Sequence, residues 1–280
     1  MPRADAPPWA EDPLGYLTEL GQGPETGFDP GAAALAFAAI ERPKAALGRY
    51  LAHLDSLADA VAAFRPEAPD AMAAALAAVV HEEFGYQGDR QTYDDLQNAS
   101  LIRVIDRRRG LPVALGILHL SIAHRLGWIM SGLAFPSHFL LSLDHGGMRL
   151  PLDPFDQARV LTAADMRRLL KSMLGEDAEL TTEHYQPVSD QAVLLRLQNN
   201  IKLRRLKAGD IAGALRTAEA MRAFAPGQIE LLREVALMHM RLENVGEAIR
   251  CFETYLGAEP DATLRHRAAS LLQELKNKLN

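Results

Sequence analysis

Apolar side chains recur every three or four positions along much of the chain and every second position along one stretch near its middle. Leu47, Leu51, Leu54, Leu57 and Val61 predict a first helix that closes near Pro66. Met72, Leu76, Val79, Val80 and Phe84 predict a second, with Asp70 as its cap and Gly85 at its end. A third carries Leu101, Val104 and Ile105 and runs into Arg107, Arg108, Arg109 and Gly110, read as a solvated helix end. Pro112 suits the first position of a fourth helix, whose stripe is Leu115, Leu118, Ile122 and Leu126 and whose end is Gly127. Residues 1–31 hold Pro7, Pro8, Pro13, Pro24 and Pro30 among others and no apolar period, which predicts a loosely ordered arm.

Beyond Gly127 the period changes to two. Ile129–Phe135, Phe139–Leu143 and Met148–Leu152 read as strands, the last two joined by a four-residue hairpin loop, Asp144-His145-Gly146-Gly147. Pairing Leu143 with Met148 then places Leu141 opposite Leu150, Phe139 opposite Leu152 and His138 opposite Asp153. Opposed residues of an antiparallel pair have Cβ atoms about 4.5–5.5 Å apart. At that distance an aspartate accepts from one imidazole nitrogen and leaves the other as a base. The same pair serves equally well as a self-satisfied buried brace.

The last ninety or so residues repeat themselves. Ala214-Leu215 aligns with Ala248-Ile249, and the same offset of 34 residues pairs Leu203 with Leu237, Asp210 with Asn244, Ala218 with Phe252 and Pro226 with Pro260. Thirty-four is the period of tetratricopeptide repeats, which stack helix–turn–helix units and present helical surfaces to a peptide or partner helix. The predicted organisation is an arm over 1–31, a core with N-terminal helices over 32–186 and helical repeats over 187–280.

Composition narrows the chemistry. Of 280 residues 48% are hydrophobic and 24% charged, ordinary values for a folded protein. No stretch approaches the roughly 20 apolar residues that span a bilayer, and no basic start leads into an apolar run, so the expected location is the cytoplasm. A net charge of −6 argues against nucleic acid as a partner. The single cysteine, Cys251, falls at a packing position of the second repeat and offers no thiol near His138. Ser100, Ser121 and Ser137 are the nearby hydroxyls; Ser121 sits in mid-helix and Ser137 adjoins His138. His138, His145, Asp153 and Asp156 lie close in sequence without a paired-ligand motif, and His119 and His124 do not share a helix face. Neither metal nor cofactor is expected. Asn98, an amide in the loop before the third helix, is the remaining candidate for a binding groove, or else a turn residue.

The stretch Tyr93-Asp94-Asp95-Leu96-Gln97-Asn98-Ala99-Ser100-Leu101, followed by Arg109-Gly110-Leu111-Pro112-Val113-Ala114-Leu115, resembles the SirB-type family. Phe135-Pro136-Ser137-His138-Phe139-Leu140-Leu141 and Leu152-Asp153-Pro154-Phe155 continue the resemblance in order, with Ser137 standing where such proteins usually have glycine. The resemblance implies an α+β fold: a mostly helical, transglutaminase-like, papain-related core with a small antiparallel sheet, then an all-α tail of tetratricopeptide-like repeats. In the transglutaminase-like pattern a Gly-x-Cys opens a helix and is followed by His and Asp. Here Gly110-Leu111-Pro112 takes the first place and His138 and Asp153 the other two. The expected function is a cytoplasmic pseudoenzyme, lacking the nucleophilic cysteine, that acts as a protein-interaction or regulatory module and binds a protein or peptide through its repeats. The alternative is a hydrolase or acyl transferase that uses His138 and Asp153 with a nucleophile other than cysteine.

Overall fold

Prolines open helices in this chain. In the computed structural model, which describes residues 6–258 and 261–279, α1 (Pro13–Gln22) and α2 (Pro30–Glu41) both begin on proline, where its missing N–H costs nothing. Asp12 accepts from Gly15 N at 2.8 Å and Asp29 from Gly31 N at 2.9 Å, so each start is also capped by a carboxylate. The arm expected to be loose over 1–31 therefore holds a ten-residue helix with Leu17 fully buried. Pro13 and Pro30 mark helix starts, which an aperiodic apolar pattern had disguised.

The helices α3 (Leu47–Ala63) and α4 (Pro69–Leu76) follow, and α4 continues into a wider π-helical turn over Ala77–Glu83. Asp70 lies in the first turn of α4 and does not cap it; the cap position is Ala68. Strand β1 (Gln87–Gly88), helix α5 (Leu101–Arg107) and strand β2 (Arg109–Gly110) come next, with β1 and β2 paired in parallel. Helix α6 (Pro112–Leu126) is the spine of this region, buried without interruption from Pro112 to Ala123. A helix apolar on all sides belongs at the centre of a domain.

Five strands form an antiparallel sheet: β3 (Ile129–Leu133), β4 (Leu141–His145), β5 (Met148–Asp153), β6 (Arg159–Val160) and β7 (Pro187–Val188), in the order β6-β5-β4-β3-β7. Helix α7 (Ala163–Leu174) lies between the last two strands in sequence. The β4–β5 register differs from the expected one by two residues. His145 pairs with Met148, Leu143 with Leu150 and Leu141 with Leu152 across a two-residue loop. Gly146 and Gly147, at φ of +59° and +80°, supply the two left-handed residues that such a turn demands. Because side chains alternate with period two, the slip leaves every face assignment unchanged and alters only the opposed partners.

The compact units divide inside α8 (Asp190–Lys207), between Leu197 and Gln198, and the second unit also takes Leu17–Gly23. That unit contains α9 (Ile211–Phe224), α10 (Glu230–Arg241), α11 (Val245–Gly257) and α12 (Ala262–Leu279). The repeat offset lines up the cap positions of α9 and α11, Asp210 and Asn244, and the buried pair Ala218 and Phe252. Pro260 lies outside the described residues. Cys251 packs half-buried between two apolar clusters, one around Ala248 and Phe252 and the other around Ala218 and Val235; burial raises its thiol pKa.

Candidate functional site

His138 stands in the loop between β3 and β4, and Asp153 ends β5. The imidazole Nε2 lies 3.0 Å from Asp153 Oδ1 and 3.1 Å from Oδ2, and the same Oδ1 accepts from Phe155 N at 2.9 Å. A carboxylate only accepts, so Nε2 carries the hydrogen of this bond. The two residues meet, yet by a different route from strand opposition, since β4 starts only at Leu141. A tight turn brings the histidine in: Ser137 adopts φ of +60° and His138 N donates to Pro136 O at 2.7 Å.

Three neighbours hold that turn. Arg196, on α8, donates to His138 O at 2.8 Å and to Phe135 O at 3.3 Å, and its guanidinium lies 5.5 Å from the Phe139 ring centre. Phe139 lies against α6 at Gly116, where any Cβ would fall far inside van der Waals contact with the ring. Phe155 meets His138 edge-to-face at 6.2 Å and Tyr93 at 6.1 Å. Both members of the pair are buried, His138 at 8% and Asp153 at 6% exposure.

The start of α6 offers no nucleophile. Leu111, Pro112 and Val113 are all buried, and Leu111 N is spent on Asn98 O at 2.9 Å. Ser121 donates to Asp29 at 2.7 Å and accepts from Arg125 at 2.6 Å, which commits its hydroxyl to the α2–α6 contact. Ser137 is exposed on the turn, and Ser100 caps α5 in position without a side-chain bond to the helix. Among the described residues no group of three or more His, Cys, Asp or Glu side chains is placed to hold a metal ion.

Asn98 is fully buried and both its amide atoms are engaged. Nδ2 donates to Thr92 O at 2.6 Å and Oδ1 accepts from Arg107 at 2.9 Å. Arg107 also reaches Asp89 at 3.3 Å. Burial works to raise the Asp89 pKa, but bonds from the Thr92 hydroxyl and N–H and from the Gln91 N–H outweigh it and hold it at about 2. Arg108, left-handed at φ of +57°, bonds to Tyr86 Oη and lies 2.6 Å from His53 Nε2. Burial, with help from that guanidinium, pushes the His53 pKa down to about 4. Of the arginine run, only Arg109 is the solvated residue expected from sequence.

A second buried pair escaped the sequence reading. His81 gives Nδ1 to Tyr86 O at 2.8 Å, His119 gives Nδ1 to Leu115 O at 2.9 Å, and the two Nε2 atoms face each other at 3.3 Å. Protonating either ring would supply the missing hydrogen between them, but burial opposes the charge. Burial lowers the His81 pKa, and burial followed by the His81 charge lowers His119 to about 3. The only signal for this pair in the sequence is a polar residue within each of two apolar stripes.

The transglutaminase-like superfamily matches residues 48–199 and the tetratricopeptide repeat matches residues 201–273. The chain is 30% identical to a UPF0162 protein of Vibrio cholerae over 71% of its own length and 73% of that protein's. It is 28% identical to Protein SirB1 of Salmonella typhimurium over 60% of its length and 62% of the relative's. It is also 27% identical to F-box only protein 21 of Homo sapiens, over 59% of this chain and 27% of that one. No solved structure matches. No helix among the described residues is long and apolar enough to cross a membrane. With more than half of its length matched, the chain belongs to the transglutaminase-like superfamily and carries tetratricopeptide repeats behind that core.

Proposed function

We propose that this protein is a cytoplasmic interaction module: a transglutaminase-like core without a nucleophile, joined to helical repeats that bind a protein or peptide. The observation that carries this reading is Pro112 at the first position of α6, flanked by buried Leu111 and Val113. Acyl transfer by a histidine–aspartate pair needs an activated hydroxyl or thiol within hydrogen-bond reach of the base, and this helix start has neither. The burial of His138 supports the same reading, since a general base must reach its substrate. In this role His138 and Asp153 satisfy one another and fix the β3–β4 turn to the end of β5. The repeats supply the surface, and Leu203 on α8 stands 53% exposed on it.

The test compares the full chain with His138→Ala and Leu203→Glu. Losing the imidazole leaves Asp153 short of a partner, which costs about 1–3 kcal/mol of stability. His138→Ala is expected to hydrolyse a panel of amide, ester and γ-glutamyl substrates no differently from the parent and to capture the same proteins from an extract. Leu203→Glu is expected to lose them. Turnover of any substrate that requires His138 overturns the reading in favour of a hydrolase or acyl transferase.

A further inference from the structure

Phe155, which meets His138 edge-to-face, also lines a polar cleft of about 290 Å³, walled by β1, the start of β2 and the turn that follows β5. We propose that it is a binding site for an oxyanion, a carboxylate or a phosphate, gripped by Arg90 and Arg109. The cleft belongs to the first unit and owes nothing to the repeats.

Four observations converge on that ligand. Arg109 lines the cleft from β2, is exposed, and its side chain makes no ion pair or hydrogen bond with any described residue. Its backbone is anchored by the parallel pairing of Gln87 with Arg109 and Gly88 with Gly110, so the cation stands on a fixed base. Arg90 is set in advance by stacking, its guanidinium carbon 5.0 Å from the Phe155 ring centre. Its nearest acid, Asp156, is 3.8 Å away, beyond hydrogen-bond range, and is held instead by Arg159 at 2.9 Å.

The other acid in the cleft is withdrawn. Asp89 turns inward at 1% side-chain exposure, paired with Arg107 and bonded by Thr92. The cleft thus shows two guanidinium groups against one shared carboxylate, in a chain whose net charge is −6. Planar guanidinium forks match carboxylate and phosphate oxygens in paired bonds. Gln87 and Gln91 at the rim add amide donors. Phe155 is fixed in turn by Gly88, where a Cβ would come within 2.5 Å of the ring. The floor beneath the ligand is therefore rigid.

The experiment titrates the full chain with inorganic phosphate and, separately, with N-acetylglutamate methylamide at constant ionic strength, following the arginine Nε–Hε signals by NMR. Saturable shifts at Arg90 and Arg109 are expected with at least one probe. Arg109→Ala should weaken that binding about tenfold or more, the usual worth of one charge-assisted contact. Arg167→Ala, exposed on α7, should leave it unchanged. Tighter phosphate identifies a phosphate-bearing ligand; tighter glutamate identifies a carboxylate. Shifts that rise linearly with both probes, or saturation that survives Arg90→Ala with Arg109→Ala, overturn the proposal. Should Arg90→Ala disturb its stack on Phe155, Arg109→Gln alone still decides, because the Arg109 side chain makes no hydrogen bond or ion pair with a described residue.

Discussion

Two polar groupings touch one phenylalanine, Phe155, and have opposite characters. The His138–Asp153 contact is buried, and hydrogen bonds from Phe155 N and Arg196 lock the carboxylate and the turn around it. At the cleft, the Arg109 side chain has no ion pair or hydrogen bond with a described residue and the Arg90 guanidinium only a distant acid. Polar atoms that meet one another's needs inside a protein hold its shape, and charged atoms left wanting at a cleft are free to hold something else. On the proposed reading, the residues that resemble a catalytic pair act as a brace. Those that suggest a ligand come from the arginine run and the β1 turn.

The most damaging way to break this comparison is to move the wall on which the buried pair depends. Gly116→Val places a branched side chain where the Phe139 ring lies, and should destabilise the first unit by about 3 kcal/mol. That corresponds to a fall in melting temperature of roughly 6–12 °C for a domain of this size, read by thermal unfolding. An unchanged melting temperature would show that Phe139 does not fix the turn.

Acid should act next. The folded state holds His119 at a pKa of about 3 against an ordinary value of 6.5. The unfolded chain therefore takes up a proton first as the pH drops. The stability that depends on this group is complete above pH 6.5 and is lost as the pH falls toward 3, at about 1.4 kcal/mol per pH unit. Denaturant unfolding at pH 6.5 and pH 5 measures the slope, and His119→Gln should flatten it. A slope equal in both proteins would place the acid sensitivity elsewhere.

The smallest effect sharpens the contrast most. Arg109→Ala should change stability by no more than about 0.5 kcal/mol in the same unfolding assay, as expected for an exposed side chain without partners. A larger loss would mean that Arg109 is another brace.

The sequence made the outline readable because local chemistry marks it. Pro112 and Gly127 bound α6, the Gly146-Gly147 tip marks the hairpin, and the repeat offset aligns the starts of α9 and α11. Helix α1 escaped because one buried leucine makes no stripe, and its proline read as disorder. The candidate site was readable only as residue types. His138 and Asp153 were named, but the bond that holds the His138 carbonyl comes from Arg196, 58 positions away, and the Asn98 amide is consumed by Thr92 and Arg107. No period in the chain encodes such contacts. The cleft was hidden for the same reason: Arg90, Arg109 and Asp156 become neighbours only after β1 and β2 pair and the chain turns beyond β5.

The β4–β5 hairpin has a property best described as parity. Its tip holds two glycines where four residues would preserve the same inward and outward sides, so the ribbon admits change in steps of two and resists steps of one. Adding two residues at Gly146-Gly147 would lengthen the ribbon and leave Leu141, Leu143 and Leu152 facing inward. A single added residue carried along β4 as a register shift would turn Leu141 and Leu143 to the opposite face of the sheet. The tip is thus a place where the chain can gain or lose length in even increments while Asp153, at the far end of the ribbon, keeps its side.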